Sequence, residues 1–216
     1  MKIDLLCSSQ DHPINPWLVR WREERAQQHE IRIVRSRDQL KSGDILFLIS
    51  CAEMIPAKLR TLYGNCVVLH ASDLPKGRGW SPHVWAILEG ARIITVSAIN
   101  AEDRVDSGDI WAKKTFNVAP NELYNEINAS LFEAEITLMD QVIRMVENSD
   151  APHPQPDEEA TYYPRRTPRD SKLDPSLSIA EQFDKIRVSD PNRFPAFFEM
   201  HGTVFSIKLT RVESDD

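Results

Sequence analysis

The groups in this sequence that could carry chemistry are a histidine at the end of an apolar run and an acidic loop further along. His70 follows residues 66–69, a run typical of a strand buried on both faces. Residues 100–109 form a polar loop with four acidic side chains, Glu102, Asp103, Asp106 and Asp109. A histidine paired with a carboxylate suits acid–base chemistry near neutral pH. A structural histidine and a solvated loop are the plain alternatives.

The loop that follows His70 could bring the backbone close to a bound ligand. Residues 71–82 contain glycine, proline and basic residues. Glycine allows a close approach of the backbone, and Lys76 or Arg78 could meet a phosphate or pyrophosphate group. The acidic loop does not follow the ligand order of an EF-hand, so we expect no metal ion.

The elements that must position these residues follow from an alternation of apolar runs and helical patterns. The predicted strands are residues 3–7, 31–34, 45–49, 66–69, 93–99 and 110–116. The predicted helices are residues 16–28, 56–63, 82–88 and about 120–146. This order predicts an α/β fold, with a Rossmann-like, mostly parallel sheet and flanking helices. Such sheets bind ligands at the carboxyl ends of their strands, where His70 would lie.

A change in composition divides the chain. Residues 1–148 form the predicted catalytic domain, and residues 149–160 are a Pro-rich linker. Residues 161–216 form a C-terminal extension with a helix over residues 178–188 and a hairpin whose turn is His201-Gly202. The extension is too short to fold alone, so we expect it to pack on the domain near the substrate site.

Composition restricts the partners. The 216 residues are 41% hydrophobic and carry a formal net charge of -7, which argues against a nucleic-acid partner. Three cysteines without CxxC spacing indicate buried thiols in a reducing compartment. Neither a signal peptide nor an apolar run long enough to span a membrane is present in the sequence, so we expect a cytoplasmic protein without a membrane partner.

Two motifs together resemble those of a known family. Residues 70–79, HASDLPKGRG, are similar to the HxSLLPxxRG segment of N10-formyltetrahydrofolate-dependent formyltransferases, and residues 105–110, VDSGDI, to their (L/V)DTGDI segment. The family's catalytic set is Asn-x-His followed by a distant Asp. The resemblance places the last two on His70 and Asp106. It implies direct transfer of a formyl group from N10-formyltetrahydrofolate, the folate co-substrate, to an amine.

The sequence departs from this family at Val68, where the resemblance places the asparagine. That asparagine helps to hold the formyl oxygen in the transition state, and losing one such donor costs about 100-fold or more in rate. Either another donor replaces it, with Asn100, Ser50 and Ser72 as candidates, or the chain is a catalytically impaired binding protein. The resemblance also implies a folate slot lined by Met54, Ile55, Asn100, Asp103 and Asp106. Ordinary core packing is the alternative for Met54 and Ile55.

The remaining question is which amine receives the formyl group. For a methionyl-tRNA enzyme we expect a longer, basic C-terminal domain, and for a glycinamide ribonucleotide enzyme a Gly-rich first loop. Residues 185–198 instead resemble the IRAxxxPYPGAF region of sugar N-formyltransferases. This resemblance implies a nucleotide-linked amino sugar, such as a UDP-linked 4-amino-4,6-dideoxy sugar, and leaves a homodimer open. The expected substrate residues are Ser72, Lys76, Arg78, Gly79, Trp80, Arg187 and Phe197.

Overall fold

Six strands form the central sheet in a computed structural model that describes residues 1–156 and 159–212. The strands lie in the order β2-β1-β3-β4-β6-β7. They are β1 (Lys2–Leu6), β2 (Glu30–Val34), β3 (Gly43–Leu48), β4 (Tyr63–His70), β6 (Ile93–Asn100) and β7 (Ile110–Asn117). Residues 157–158 of the predicted linker and 213–216 of the predicted extension lie outside the described residues.

The sheet is mostly parallel. Strands β2, β1, β3 and β4 run in one direction, β6 pairs antiparallel with β4, and β7 pairs antiparallel with β6. The predicted α/β fold with a mainly parallel sheet and flanking helices is therefore confirmed. Because β6 runs antiparallel to β4, its last residue, Asn100, lies beside Val67, and the loop between β6 and β7 extends from there to His70, the last residue of β4.

Five α-helices accompany the sheet in the described residues. They are α1 (Asn15–Arg25), α2 (Ala57–Arg60), α3 (Pro82–Leu88), α4 (Tyr124–Glu147) and α5 (Ile179–Arg187). Three of them differ from the predicted bounds by several residues at one end: α1 ends at Arg25, α2 ends at Arg60 and α4 starts at Tyr124. Tyr63 begins β4 because it pairs with Gly43 on β3, and α4 starts at Tyr124 because Glu122 accepts from the amide of Ala119 and closes a turn before the helix.

The two faces of the sheet are covered unequally. On one face, α1 and α4 bury a large core, with Trp21, Leu131 and Leu138 among its members. On the other face, β3 and β4 form a smaller apolar surface under the short helix α2. We call this surface the α2 face; its residues near the site are Leu46, Leu48, Ile55, Cys66 and Val68. All three cysteines are free thiols, with Cys51 half-buried and the other two buried.

The C-terminal part packs against the end of the sheet. Helix α5 contacts α3, and the hairpin β9 (Ala196–Met200) and β10 (Thr203–Ile207) turns through His201 and Gly202. Both turn residues have positive φ, 52° and 73°, as a tight hairpin turn requires. Two short strands, β5 (Arg78–Gly79) and β8 (Tyr162–Tyr163), pair in parallel. No helix within residues 1–156 and 159–212 is both long and apolar enough to cross a membrane.

Candidate active site

His70 and Asp106 lie together at the edge of the sheet. His70 is the last residue of β4, and Asp106 comes from the loop between β6 and β7. Nδ1 of His70 is 3.5 Å from Oδ2 of Asp106, and both side chains are less than one-tenth exposed. Burial strengthens the electrostatic interaction between the two groups. The structure therefore places the two residues as a histidine–carboxylate pair.

Residues 76–79, which we call the 76–79 loop, contact both members of the pair. Nε2 of His70 donates to the carbonyl oxygen of Gly77 at 2.8 Å, and the amide of Gly79 donates to Oδ2 of Asp106 at 2.9 Å. A carbonyl oxygen only accepts, so Nε2 carries a hydrogen. Nδ1 then faces Asp106 as a lone pair in the neutral ring, and a proton between the two groups would close the contact. The loop thus sets the tautomer of the histidine.

The 76–79 loop is held by the segment that follows α4. We call this segment the strap; it comprises residues 153–156 and 159–163. The amide of Gly77 donates to Oγ1 of Thr161 at 2.8 Å, and β5 of the loop pairs with β8 of the strap. Gly79 has φ 105°, and a Cβ at that position would clash with the carbonyl oxygen of Tyr163. Glycine is therefore required where the loop meets the strap.

Three predicted substrate residues in and next to this loop differ in their exposure. Arg78 is fully buried, and its guanidinium group donates to Oε1 of Gln155 and to the hydroxyl of Tyr162. In this structure the guanidinium group of Arg78 therefore contacts the strap, and its contact with a pyrophosphate stays a prediction. Lys76 is exposed and pairs with Glu159 at 2.9 Å. Trp80 is half exposed and remains at the surface beside the pair.

Two predicted substrate residues of the extension lie among structural contacts. Arg187 is fully buried; it pairs with Asp184 at 2.6 Å and donates to the carbonyl oxygens of Ala119 and Glu122. It joins α5 to the turn before α4, and its predicted contact with the substrate stays a prediction. Phe197 is half-buried in β9, where its carbonyl oxygen accepts from the amide of Leu173.

The predicted folate residues lie on both sides of the α2 face. Ile55 is buried in this face, whereas Met54 is more than half exposed. Arg60 donates to the carbonyl oxygen of Ile55 and pairs with Asp103 at 2.8 Å, so it ties the loop after β3 to the acidic loop. Val68 packs in the same apolar surface, where an isopropyl group cannot donate a hydrogen bond.

Asn100 does not share the face of His70. In the β4–β6 register, His70 pairs with Ser97, three residues before Asn100, and strand side chains alternate between faces. Oδ1 of Asn100 accepts from Nε1 of Trp111, a residue of the large core, at 2.8 Å. The side chain of Asn100 is therefore oriented away from the pair in this structure, and the catalytic role expected of it stays a prediction.

The serine candidates differ in environment. Oγ of Ser72 is buried and has no hydrogen-bond partner among the described residues. Ser72 lies against Gly77, the residue whose carbonyl oxygen binds His70: a Cβ at Gly77 would be 3.4 Å from Oγ. Ser50 follows β3, has φ 48° and is exposed. Ser72 is therefore the better placed hydroxyl group to donate beside the pair.

Two further histidines near the site gave no sequence signal. Burial, with the charge of Arg166, lowers the pKa of His83 to about 4. Burial, with the charge of Arg193, likewise lowers the pKa of His12 to about 4. Both rings are neutral at pH 7, so the arginines supply the positive charge in this region. In residues 1–156 and 159–212, no three His, Cys, Asp or Glu side chains are grouped to hold a metal ion.

Comparisons with known proteins identify relatives of this chain. The family described as formyl transferase matches residues 6–143. Methionyl-tRNA formyltransferase from Clostridium perfringens is 27% identical over 177 residues, which cover 80% of this chain and 56% of that protein. The chain spans about half the length of the curated relatives that it matches.

Solved structures share the fold. HypX from Aquifex aeolicus in complex with tetrahydrofolic acid has a TM-score of 0.80 and 22% identity, over 94% of this chain and 36% of that chain. A sugar N-formyltransferase from Shewanella sp. has a TM-score of 0.73 and 15% identity, over 100% of this chain and 99% of that chain. Because the family match spans more than half of the sequence, the chain belongs to the formyltransferase family.

Proposed function

We propose that this chain transfers a formyl group from N10-formyltetrahydrofolate to the amine of a nucleotide-linked amino sugar. The observation that carries the proposal is the buried pair of His70 and Asp106, 3.5 Å apart and held by the 76–79 loop, in a member of the formyltransferase family. A general acid–base pair is what acyl transfer to an amine requires.

The proposed reaction is a direct acyl transfer. The substrate amine attacks the formyl carbon, the carbonyl oxygen becomes an oxyanion, and collapse of the intermediate breaks the bond to N10 of the folate. The amine loses one proton and N10 gains one. We assign the amine proton to Oδ1 of Asp106, because Oδ2 already faces His70 and the amide of Gly79; the same proton then passes from Asp106 to N10 as the bond to N10 breaks. The positive charge of protonated His70 would stabilise the oxyanion, with the hydroxyl of Ser72 as the hydrogen-bond donor in place of the family asparagine.

The folate donor is assigned to the α2 face. This face is apolar, includes Ile55 and Val68, and lies on β3 and β4 next to His70. Arg60 holds the loops on either side of it. An apolar slot with backbone groups at its rim suits a flat, polar-edged pterin ring. The structural similarity to HypX in complex with tetrahydrofolic acid supports this assignment.

The acceptor is proposed to be a sugar. The similarity to the sugar N-formyltransferase extends along nearly the whole of both chains, as does the similarity to a methionyl-tRNA formyltransferase from Clostridium thermocellum, so coverage allows a sugar without selecting it. A net charge of -7 disfavours a polyanion such as tRNA. Trp80, half exposed beside the 76–79 loop, offers an aromatic face for a base or a sugar ring, and Lys76 offers a positive charge.

Methionyl-tRNA is the second candidate acceptor. The specific observation in its favour is the 27% identity to the Clostridium perfringens methionyl-tRNA formyltransferase across 80% of this chain. Both candidates use the same donor and the same chemistry. They differ in whether the amine belongs to a sugar linked to a nucleoside diphosphate or to a methionine at the end of a tRNA.

A transfer assay separates the candidates. N10-formyltetrahydrofolate is supplied with a panel of UDP- and dTDP-linked amino sugars and, separately, with methionyl-tRNA. Mass gain on the acceptor and release of tetrahydrofolate report transfer, and the His70→Ala variant is the control. Formylation of one sugar supports the proposal, whereas formylation of methionyl-tRNA alone overturns the sugar assignment.

Folate binding without transfer to any acceptor would instead identify an impaired binding protein. The Val68→Asn variant tests this outcome, because it restores the side chain that the family places at position 68. A gain of turnover in Val68→Asn would show that the missing amide had abolished catalysis. An active wild-type chain that gains little from the substitution would show that another donor has replaced it.

A further inference from the structure

We infer that Gln155, a residue of the strap, is a positioning residue for the His70–Asp106 pair; this inference rests on the proposed function. Nε2 of Gln155 donates to the carbonyl oxygen of Asp106 at 3.2 Å and to that of Gly108 at 3.0 Å. Its Oε1 accepts from Nε of Arg78 at 2.9 Å and also from Nη2. One amide group therefore bridges the 76–79 loop and the acidic loop.

The pair depends on the separation of these two loops. Asp106 belongs to the acidic loop, and the two backbone groups that hold the pair, the carbonyl of Gly77 and the amide of Gly79, belong to the 76–79 loop. Asp106 has φ 51°, a conformation that residues other than glycine keep only where the surroundings hold them. The bond from Gln155 fixes the peptide plane of Asp106, and hence the direction of its carboxylate.

The strap presents Gln155 rigidly. Pro154 fixes the backbone before it, and Pro156 restricts Gln155 itself to an extended conformation. On one side, His153 exchanges two backbone hydrogen bonds with Ile110, at 2.7 and 2.9 Å. On the other side, the carbonyl oxygen of Thr161 accepts from the amide of Arg78 at 2.9 Å. A side chain anchored on both sides can hold a loop in place.

The contacts specify an amide. A glutamate at position 155 could still accept from Arg78, but its carboxylate would face the carbonyl oxygens of Asp106 and Gly108 without a hydrogen to donate. A methionine would fill similar space and make neither contact. Gln155→Glu therefore removes only the contact to the acidic loop, whereas Gln155→Met removes the contacts to both the acidic loop and Arg78.

The chain offers a matched control in Gln182. This glutamine is buried, whereas Gln155 is half-buried, and it uses its amide in the same way: Oε1 accepts from the amide of Asp174 at 2.7 Å, and Nε2 donates to the carbonyl oxygen of Asp174 at 3.0 Å. It belongs to α5 in the extension. Gln182→Glu and Gln182→Met thus disturb an equivalent network that does not contact the pair.

The first measurement is steady-state transfer with the full chain. For both Gln155 variants we expect kcat to fall by about 10- to 100-fold, with KM for donor and acceptor within about threefold of wild type, because misplaced reacting groups slow the chemical step. The Gln182 variants should keep the wild-type kcat. An unchanged kcat in both Gln155 variants, or an equal fall in the Gln182 variants, would overturn the inference.

The second measurement does not need turnover. Amide hydrogen exchange at Gly79 reports the bond to Asp106, and the ¹⁵N shifts of the His70 ring report its tautomer. In Gln155→Glu we expect exchange at Gly79 to accelerate by at least about tenfold and the His70 ring shifts to move. Unchanged values would refute positioning by Gln155. If the chain transfers a formyl group to no acceptor, the proposed function is wrong. The Gly79 exchange rate and the His70 ring shifts would still decide the role of Gln155. Should Gln155→Met not fold, Gln155→Glu decides, since it keeps the size and the contact to Arg78.

Discussion

The sheet edge that carries the His70–Asp106 pair and the base of the C-terminal extension each contain a fully buried arginine. Arg78 lies beside the His70–Asp106 pair and binds Gln155 and Tyr162 of the strap. Arg187 joins α5 to the turn before α4 through the carbonyl oxygens of Ala119 and Glu122. In both regions a guanidinium group joins distant segments of the chain, since its several donors match several oxygen acceptors.

The two regions differ in where their contacts lead. At the sheet edge, the hydrogen bonds of the 76–79 loop lead to the side chains of His70 and Asp106, and the strap holds this loop. At the base of the extension, they end on the backbone of a turn. A change at the first region should therefore appear in turnover, and a change at the second in the free energy of unfolding.

The largest expected effect is at the pair itself. His70→Ala and Asp106→Asn should each lower kcat by at least about 100-fold, because each removes one half of the acid–base pair. Asparagine tolerates the positive φ of Asp106, so the loop is kept. Steady-state transfer and circular dichroism check the prediction. Glu102→Gln, in the same loop and exposed, is the control; a wild-type rate in either pair variant would remove that residue from the mechanism.

The next effect belongs to the other region. Arg187→Met should lower the free energy of unfolding by about 2–3 kcal/mol, because it leaves the carbonyl oxygens of Ala119 and Glu122 without their buried donor. Urea unfolding measures the loss, and kcat should stay at the wild-type value at a temperature where the variant is folded. Weaker binding of the nucleotide sugar without a loss of stability would instead favour the predicted role of Arg187 in substrate binding. The two regions would then not differ in the way described.

A buried acid in α4 gives a pH-dependent effect on stability alone. Burial raises the pKa of Glu135 from 4.5 to about 8. The folded state therefore holds this proton more tightly than the unfolded state, and stability that is complete below about pH 4.5 is lost as the pH rises towards 8. Glu135→Gln should be more stable than wild type at about pH 8.5, by at least about 1 kcal/mol.

Urea unfolding of Glu135→Gln and wild type at about pH 5.5 and 8.5 is the measurement. Equal slopes of stability against pH for the two proteins would show that Glu135 ionises normally. The free energy of unfolding is the only quantity expected to change, because Glu135 packs within α4 and the pair lies at the sheet edge.

The smallest effect is expected at an exposed ion pair. Arg211 pairs with Glu126 at 2.9 Å, and the two side chains are 54% and 35% exposed. Arg211→Ala should change the free energy of unfolding by about 0.5 kcal/mol or less, because solvent screens the attraction. If Arg211→Ala lowers the free energy of unfolding as much as Arg187→Met does, the exposure of an arginine does not determine how much it contributes to stability.

The sequence predicted the sheet and the pair through local patterns. A buried apolar run ending in His70 placed the histidine at the strand end, and two motifs placed Asp106 in the following loop. The parallel core strands and the C-terminal helix and hairpin followed from periodicity and from the His201-Gly202 turn. These features depend on residues close together in the chain, which is why they could be predicted.

The roles of Arg78, Arg187 and Asn100 could not be predicted in the same way. Arg78 is buried by residues about 80 positions away, and Asn100 is oriented by a strand partner whose face depends on the register of three strands. Gln155 lay among alternating prolines, which are typical of a linker. In the structure the same prolines restrict the backbone of the strap. Only the fold shows that this segment lies against the 76–79 loop and the acidic loop.

The strap also sets the order in which the protein can be completed. The six-stranded sheet ends at Asn117 and α4 at Glu147, whereas the groups that hold the 76–79 loop come from residues 153–163. A chain emerging from the ribosome can therefore build its scaffold while the acid–base pair is still unset. On the proposed function, the chain becomes able to catalyse the transfer only after its sheet has formed, once the residues that follow α4 have been added.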